Sequence, residues 1–116
     1  MAENKLADLS TKFAIKILRL TDSIKGHYSL TNQLERSGTS IGANIREAKY
    51  AHSKADFISK LQIALKEANE TGYWLELLLR TGYINEEKYK ILETKCKSLR
   101  AMLVSSINTT KENINK

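Results

Sequence analysis

Apolar residues recur at every third or fourth position along most of this chain, which is the spacing of one face of an α-helix. In the first run, Leu6, Phe13 and Leu20 repeat at intervals of seven residues. The sequence contains no proline and five glycines, so long helices joined by short turns are expected. The pattern therefore predicts an all-α protein.

The predicted helices span residues of about 4–25, 29–52, 54–81 and 86–107, and their boundaries carry residue types that are common at helix ends. These residues are Gly26, Ser29, Ser53 with Asp56, Gly82 and Asn85. Because the links between the helices are short, neighbouring helices must run in opposite directions. We therefore expect a single domain over residues 1–116, folded as an up-down-up-down antiparallel four-helix bundle. Residues 108–116 lose the apolar spacing and are predicted to form a frayed tail.

The second predicted helix carries two glycines, Gly38 and Gly42, inside its apolar repeat. Each glycine costs a helix about 1 kcal/mol relative to alanine, so we expect another element to pack closely against the backbone at both positions. Small polar residues surround the glycines: Ser37, Thr39, Ser40 and Asn44. Their side chains either contact a partner or bond back to their own helix, and we favour the second interpretation.

The third predicted helix has a second apolar surface in addition to its core stripe. At roughly 100° per residue, Ile63, Trp74 and Leu77 lie far from the stripe that runs from Phe57 to Leu75. Trp74 either flanks a broad core or contacts another subunit. We favour a subunit interface and predict a homo-oligomer, because tryptophan is enriched at interface centres and two apolar residues accompany it.

The charge of the chain is modestly positive, with 19 basic and 13 acidic residues and a net charge of +6. Residues 85–116 contain seven basic and four acidic residues, so half of the excess lies near the carboxyl end. This bias is compatible with a polyanionic partner, although a solvated basic face without a ligand is common. The candidate phosphate-binding residues are Arg36, Arg46, Lys49, Lys90, Lys97 and Arg100.

The sequence offers little that could support catalysis or metal binding. The Glu-x-x-His pairs with which helical bundles hold metal ions are missing, and His27 and His52 fall at predicted helix ends. Cys96 occupies a core position of the fourth helix, where a small buried residue is expected. We therefore expect no enzymatic activity, no metal and no cofactor.

The cellular address is predicted from the same residues. A single cysteine that cannot pair within the chain suits a reducing compartment. No apolar run approaches the roughly 18 residues that a membrane helix needs, and acidic residues interrupt the start of the chain, where a signal peptide would be basic and then apolar. We expect a cytoplasmic protein that has no contact with membranes.

The middle of the chain carries a pattern of Gln-Leu, Arg and Ser-Ile-x-Ala-Asn-Ile-x-Glu. Its residues are Gln33, Leu34, Arg36, Ser37, Ser40, Ile41, Ala43, Asn44, Ile45 and Glu47. A second block follows, made of Asp56, Phe57, Leu61, Ile63, Ala64 and Glu67. In these residues the chain resembles a bacterial family known both as four helix bundle proteins and as proteins encoded in intervening sequences of 23S ribosomal RNA genes.

The resemblance implies a left-turning bundle, a ring-like homopentamer, and association with RNA or ribonucleoprotein rather than catalysis. Our leading hypothesis is an oligomeric, non-enzymatic bundle whose basic side chains contact the phosphates of structured RNA. The competing hypothesis is a protein interaction or accessory module that recruits a protein partner, with the positive charge serving solubility.

Overall fold

Four α-helices make up the part of the chain that the computed structural model describes, residues 2–114 for the backbone and 4–114 for the side chains. They are α1 (Ala2–Ser23), α2 (Tyr28–Ala48), α3 (Lys54–Arg80) and α4 (Glu86–Ile114), and no strand occurs among these residues. The prediction of an all-α protein is confirmed.

The helices pack as an elongated bundle of 50 × 21 × 20 Å. Within residues 2–114, the backbone of α2 approaches those of α1 and α3, and the backbone of α4 approaches those of α3 and α1, whereas α1 and α3, and likewise α2 and α4, lie diagonally across the core. The helices therefore surround one core, and α1 with α4 is the least closely packed adjacent pair. The apolar stripes supply this core, whose largest fully buried side chains include Phe13, Ile17, Leu34, Ile41, Leu61, Leu75 and Leu103.

The two glycines of α2 are places where α1 packs closely. A Cβ atom built on Gly38 would lie 3.0 Å from Cγ2 of Ile17, and one built on Gly42 would lie 3.2 Å from Oγ of Ser10. Both distances are shorter than ordinary van der Waals contact, so a side chain at either position would push against α1. The predicted close packing at Gly38 and Gly42 is confirmed, and the neighbour is α1.

Most of the predicted helix ends are confirmed, with one exception. Gly26 and Gly82 have positive φ angles of 87° and 82°, Ser53 accepts a hydrogen bond from the Asp56 amide at 3.0 Å, and Asn85 accepts one from the Lys88 amide at 2.8 Å. The predicted cap at Ser29 is wrong, because α2 begins at Tyr28 after His27, which adopts the left-handed conformation. The His27 carbonyl already accepts bonds from the amides of Leu30 and Thr31.

The predicted boundaries differ from the observed ones mainly at two carboxyl ends. The predicted end of the second helix at residue 52 is wrong, because the amides of Lys49, Tyr50 and Ala51 bond to carbonyls three residues back and tighten the chain into turns. The predicted fraying from residue 108 is wrong as far as Ile114. Ile107 is buried in the core and Thr110 is half-buried, so the last turns still pack on the bundle. Residues 115–116 lie outside the described residues.

Candidate nucleic-acid interface

The small polar residues of α2 bond to their own helix. The side chains of Ser37, Thr39 and Ser40 donate to the carbonyls of residues three or four positions earlier, at 3.3, 2.8 and 2.6 Å respectively. The Asn44 amide donates to the Ser40 carbonyl at 2.9 Å. These contacts support the interpretation that the polar residues satisfy their own helix while α1 and α3 pack against it.

Arg36, one of the predicted phosphate-binding residues, is held by two carboxylates of α3. Its Nη1 atom lies 2.8 Å from Oε2 of Glu67, and its Nη2 atom pairs with Glu70. Glu67 is only 7% exposed, so its charge needs this cation. Trp74 donates from Nε1 to the same Glu70 carboxylate at 3.3 Å. Arg36 therefore joins α2 to α3 and has little capacity left for a phosphate.

Arg100 is engaged in a similar way between α3 and α4. It forms an ion pair with Glu93, and its Nη1 atom lies 3.3 Å from the Cys96 sulfur. Burial alone would lower the pKa of Arg100, but the bond to Glu93 and the nearby Cys96 raise it overall. Burial raises the pKa of Cys96 to about 11, so the thiol stays protonated at neutral pH. Arg100 and Cys96 are packing residues at this seam.

The other four predicted cations are exposed but separated. Arg46 and Lys49 lie at the end of α2, whereas Lys90 and Lys97 lie on α4, and these two helices are not adjacent in the bundle. The structure therefore does not bring the six predicted phosphate-binding residues together on one surface. The cause is ion pairing for two residues and the bundle's geometry for the remaining four.

A different set of cations lines the seam between α1 and α4, and we call it the α1–α4 groove. It consists of Lys12, Lys16 and Arg19 from α1 with Lys88 and Lys95 from α4. Two hollows lie along it, with volumes of about 450 and 300 Å³, and Lys16 lines both. The groove exists because α1 and α4 pack least closely, which leaves room for long side chains at the rim.

The pair of helices that forms the groove carries a net positive charge, whereas the other pair is neutral. The segments of α1 and α4 contain ten basic and seven acidic residues, whereas those of α2 and α3 contain six of each. Within the groove, Lys12 pairs with Asp8 at 3.1 Å, but both side chains are more than 60% exposed and the pair is weak. Glu87 is the acidic residue that lines the larger hollow. The groove can therefore attract an extended polyanion.

The two rows of cations that form this groove are visible in the sequence, but their adjacency is not. Lys12, Lys16 and Arg19 are spaced by four and three residues and so share one face of α1, and Lys88 and Lys95 are seven residues apart on α4. Which helix faces which could not be read from one sequence, so the two rows were not recognised as neighbours. The separation from Lys12 to Arg19 is about 10 Å along the helix axis.

The predicted interface residues Ile63, Trp74 and Leu77 lie on α3. Ile63 is 40% exposed, whereas Trp74 and Leu77 are half-buried. Trp74 packs partly on the core and against Tyr73, with ring centroids 5.1 Å apart. Because Glu70 links Trp74 to Arg36, this surface lies on the side of α3 that faces α2. An apolar surface remains there in addition to the core contact.

Two further observations limit the chemistry of the described residues. Their His, Cys, Asp and Glu side chains form no group of three or more that could hold a metal ion. None of the four helices, as far as they are described, is long and apolar enough to cross a membrane.

Comparison with known proteins identifies the family. The sequence profile of the 23S rRNA-intervening sequence proteins matches residues 2–105. The chain belongs to this family. The match confirms the resemblance first seen in residues 33–79, and it extends over α1 and most of α4. Among curated proteins, none matches the chain.

A solved relative of this chain shares the architecture. It is a crystal structure of a protein with unknown function from the S23 ribosomal protein family of Bacteroides thetaiotaomicron. The two sequences are 49% identical, and the match covers 93% of this chain and 99% of that chain with a TM-score of 0.88. The similarity supports the four-helix fold over nearly its full length.

Proposed function

We propose that this protein is a non-enzymatic, oligomeric bundle of the cytoplasm that binds structured RNA or a ribonucleoprotein. The α1–α4 groove is the observation that carries the proposal, because five cations from two helices line one open seam. Lys90 and Lys97, which are exposed on α4, extend the same basic half of the bundle. Each cation that meets a phosphate releases a condensed counterion, so binding is expected to weaken with salt.

We infer that the helices alternate in direction, up-down-up-down. The links of four, five and five residues at 24–27, 49–53 and 81–85 are too short to return along a helix of more than 20 residues. An antiparallel arrangement of α1 and α4 agrees with the lining of the two hollows, since Arg19 and Lys88 line one and Lys12 and Lys95 line the other. The two rows of cations then run side by side in opposite order.

The oligomer is part of the proposal. Ile63 and the half-buried Trp74 and Leu77 form an apolar surface beside the α2–α3 seam, and a second copy of the chain would cover it. By resemblance to the family, we expect a homopentamer. Assembly repeats the basic groove in every subunit, so one RNA could contact several grooves and gain avidity.

The test compares two charge reversals of equal size. The groove variant is Lys16→Glu with Lys88→Glu, and the matched control is Lys60→Glu with Lys66→Glu on α3, in the neutral half of the bundle. Binding of a labelled RNA hairpin is measured by fluorescence anisotropy at fixed salt, with helical circular dichroism as the check on folding. We expect the groove variant to lose most of its affinity and the control to retain most of it.

Other outcomes would overturn the proposal or relocate the site. Equal loss in both variants would mean that affinity follows net charge and not the groove. If the wild-type protein binds no RNA but retains a protein partner that survives the groove reversal, the bundle is a protein-recruiting module instead.

A further inference from the structure

A hollow lies at one end of the bundle, away from the α1–α4 groove. Its volume is about 610 Å³, and it is formed where α1 begins, α2 ends, α3 begins and α4 approaches its end. Ile45, Phe57 and Leu61 supply apolar wall, whereas Asn4 and Thr110 contribute polar side chains. A hollow with apolar walls and a few polar groups is the usual form of a small-molecule or nucleotide site. We call it the end cavity.

Cations surround this cavity. Lys49 and Lys54 both line it, and Arg46 is exposed one turn before Lys49 on α2. The nearby Asp56 carboxylate accepts a hydrogen bond from the His52 amide at 3.2 Å. The Lys49 and Lys54 ammonium groups form no ion pair with a described carboxylate, so they are available to an anionic ligand.

An exposed aromatic residue lies in the chain between two residues that line the cavity. Tyr50 is 77% exposed, the highest value among the large hydrophobic residues of the described chain, and its neighbours Lys49 and Ala51 both line the cavity. The backbone there is ordered, because the Tyr50 amide bonds to the Glu47 carbonyl at 3.1 Å. An exposed aromatic ring beside cations is the combination with which proteins stack unpaired bases while holding the phosphates between them.

We propose that the end cavity and Tyr50 bind an unpaired nucleotide of the RNA. The Tyr50 ring stacks on a base, Lys49 and Lys54 neutralise the adjacent phosphates, and the cavity receives the neighbouring base against Phe57. The inference rests on the proposed RNA binding and adds a preference for single-stranded segments. It also gives Arg46 and Lys49 a role at this end of the bundle, separate from that of the α1–α4 groove.

The alternatives fit the observations less well. An acidic peptide would use the cations but not the stacking surface, and a duplex offers no unpaired base to Tyr50. A nucleotide uses the ring, the ammonium groups and the mixed lining together. The preference for unpaired bases is therefore the property to measure.

The experiment uses the full-length protein and two labelled RNAs, a short oligouridylate and a duplex of the same length. Tyr50→Ala removes the ring, Tyr50→Phe keeps it, and Tyr28→Ala is the matched control because Tyr28 is 63% exposed and begins α2 at its other end. We expect Tyr50→Ala to weaken oligouridylate binding about tenfold and duplex binding by less than about twofold, whereas Tyr50→Phe and Tyr28→Ala stay near wild type.

A crosslinking measurement gives the location independently. Trypsin cleaves after Lys49 and Lys54, so residues 50–54 form one short peptide that contains Tyr50. With an oligouridylate that carries 4-thiouridine, the crosslink is expected on this peptide. Wild-type binding that is unaffected by Tyr50→Ala, equal loss for both RNAs, or crosslinks confined to α1 and α4 would overturn the inference alone. Wild-type protein that binds neither RNA would overturn the proposed function as well.

Discussion

Replacing Gly38 by alanine tests the close packing of α1 on α2. In an exposed helix this change would stabilise the protein by about 1 kcal/mol, because alanine favours the helix. At Gly38, however, the new Cβ would lie 3.0, 3.1 and 3.3 Å from Cγ2, Cγ1 and Cβ of Ile17. Ile17 is completely buried and its Cβ is fixed to the backbone of α1, so a change of rotamer cannot remove the clash.

The expected change in the free energy of unfolding combines the gain in helix propensity with the cost of the clash against Ile17. Forcing an extra methyl group into a packed core typically costs about 1–3 kcal/mol. After the gain in helix propensity is subtracted, we expect Gly38→Ala to lower the free energy of unfolding by about 1–2 kcal/mol. Gly42→Ala is the comparison variant, because only the Ser10 hydroxyl oxygen lies close, at 3.2 Å, and moving it would disturb its 2.9 Å hydrogen bond to the Ala7 carbonyl without shifting the α1 backbone. We expect this variant to be close to neutral, because the gain in helix propensity of about 1 kcal/mol offsets a disturbed hydrogen bond of about 1 kcal/mol.

Urea denaturation followed by circular dichroism, at one fixed protein concentration, measures both variants. Fixed concentration matters because assembly would add its own contribution to stability. The reasoning would be refuted if Gly38→Ala were as stable as Gly42→Ala, since α1 would then not press on the Gly38 backbone.

Three further predictions concern the interface, the ion pair and the thiol. Trp74→Ala should lower the mass measured by light scattering while the helical signal stays unchanged; an unaltered mass would count against the interface. Arg36→Met should lower the free energy of unfolding by about 1–2 kcal/mol, because it leaves the buried Glu67 charge unpaired; the value is modest because the arginine is partly exposed. Adding Glu67→Gln removes that charge and should recover most of the lost stability. Burial raises the pKa of Cys96 from 9.0 to about 11, so the unfolded chain loses the thiol proton first. Stability should therefore fall between pH 9 and about pH 11, by about 2–3 kcal/mol more than in Cys96→Ala; equal pH profiles of the two proteins in denaturation would contradict this.

Local signals predicted the fold well. Spacings of three and four residues located the helices, because each helix must bury one continuous stripe and the stripe is periodic in the sequence. Gly38 and Gly42 also pointed correctly to a close neighbour, since glycine inside a helix is unfavourable unless something fills the space of its missing side chain. The predicted fraying from residue 108 was wrong because composition alone does not show packing. The segment is rich in polar residues, yet Ile107 is buried and Thr110 is half-buried on the bundle.

The candidate site was harder to predict because it depends on which helices are neighbours. Arg36 looked available from its sequence position, but its partners Glu67 and Glu70 lie more than 30 residues away. In the same way, the α1 and α4 rows of cations come from opposite ends of the chain. The distribution of charge along the sequence therefore indicated a basic protein, but the phosphate-binding residues chosen from it lie apart in the fold.

The salt dependence of RNA binding tests the central claim most directly. If most of the groove cations each meet a phosphate, a plot of the logarithm of the association constant against the logarithm of salt concentration should have a slope of about −3 to −4. The Lys16→Glu, Lys88→Glu variant should show a slope shallower by about 1.5. A wild-type slope near zero, or a slope that the groove variant leaves unchanged, would contradict phosphate binding by the α1–α4 groove.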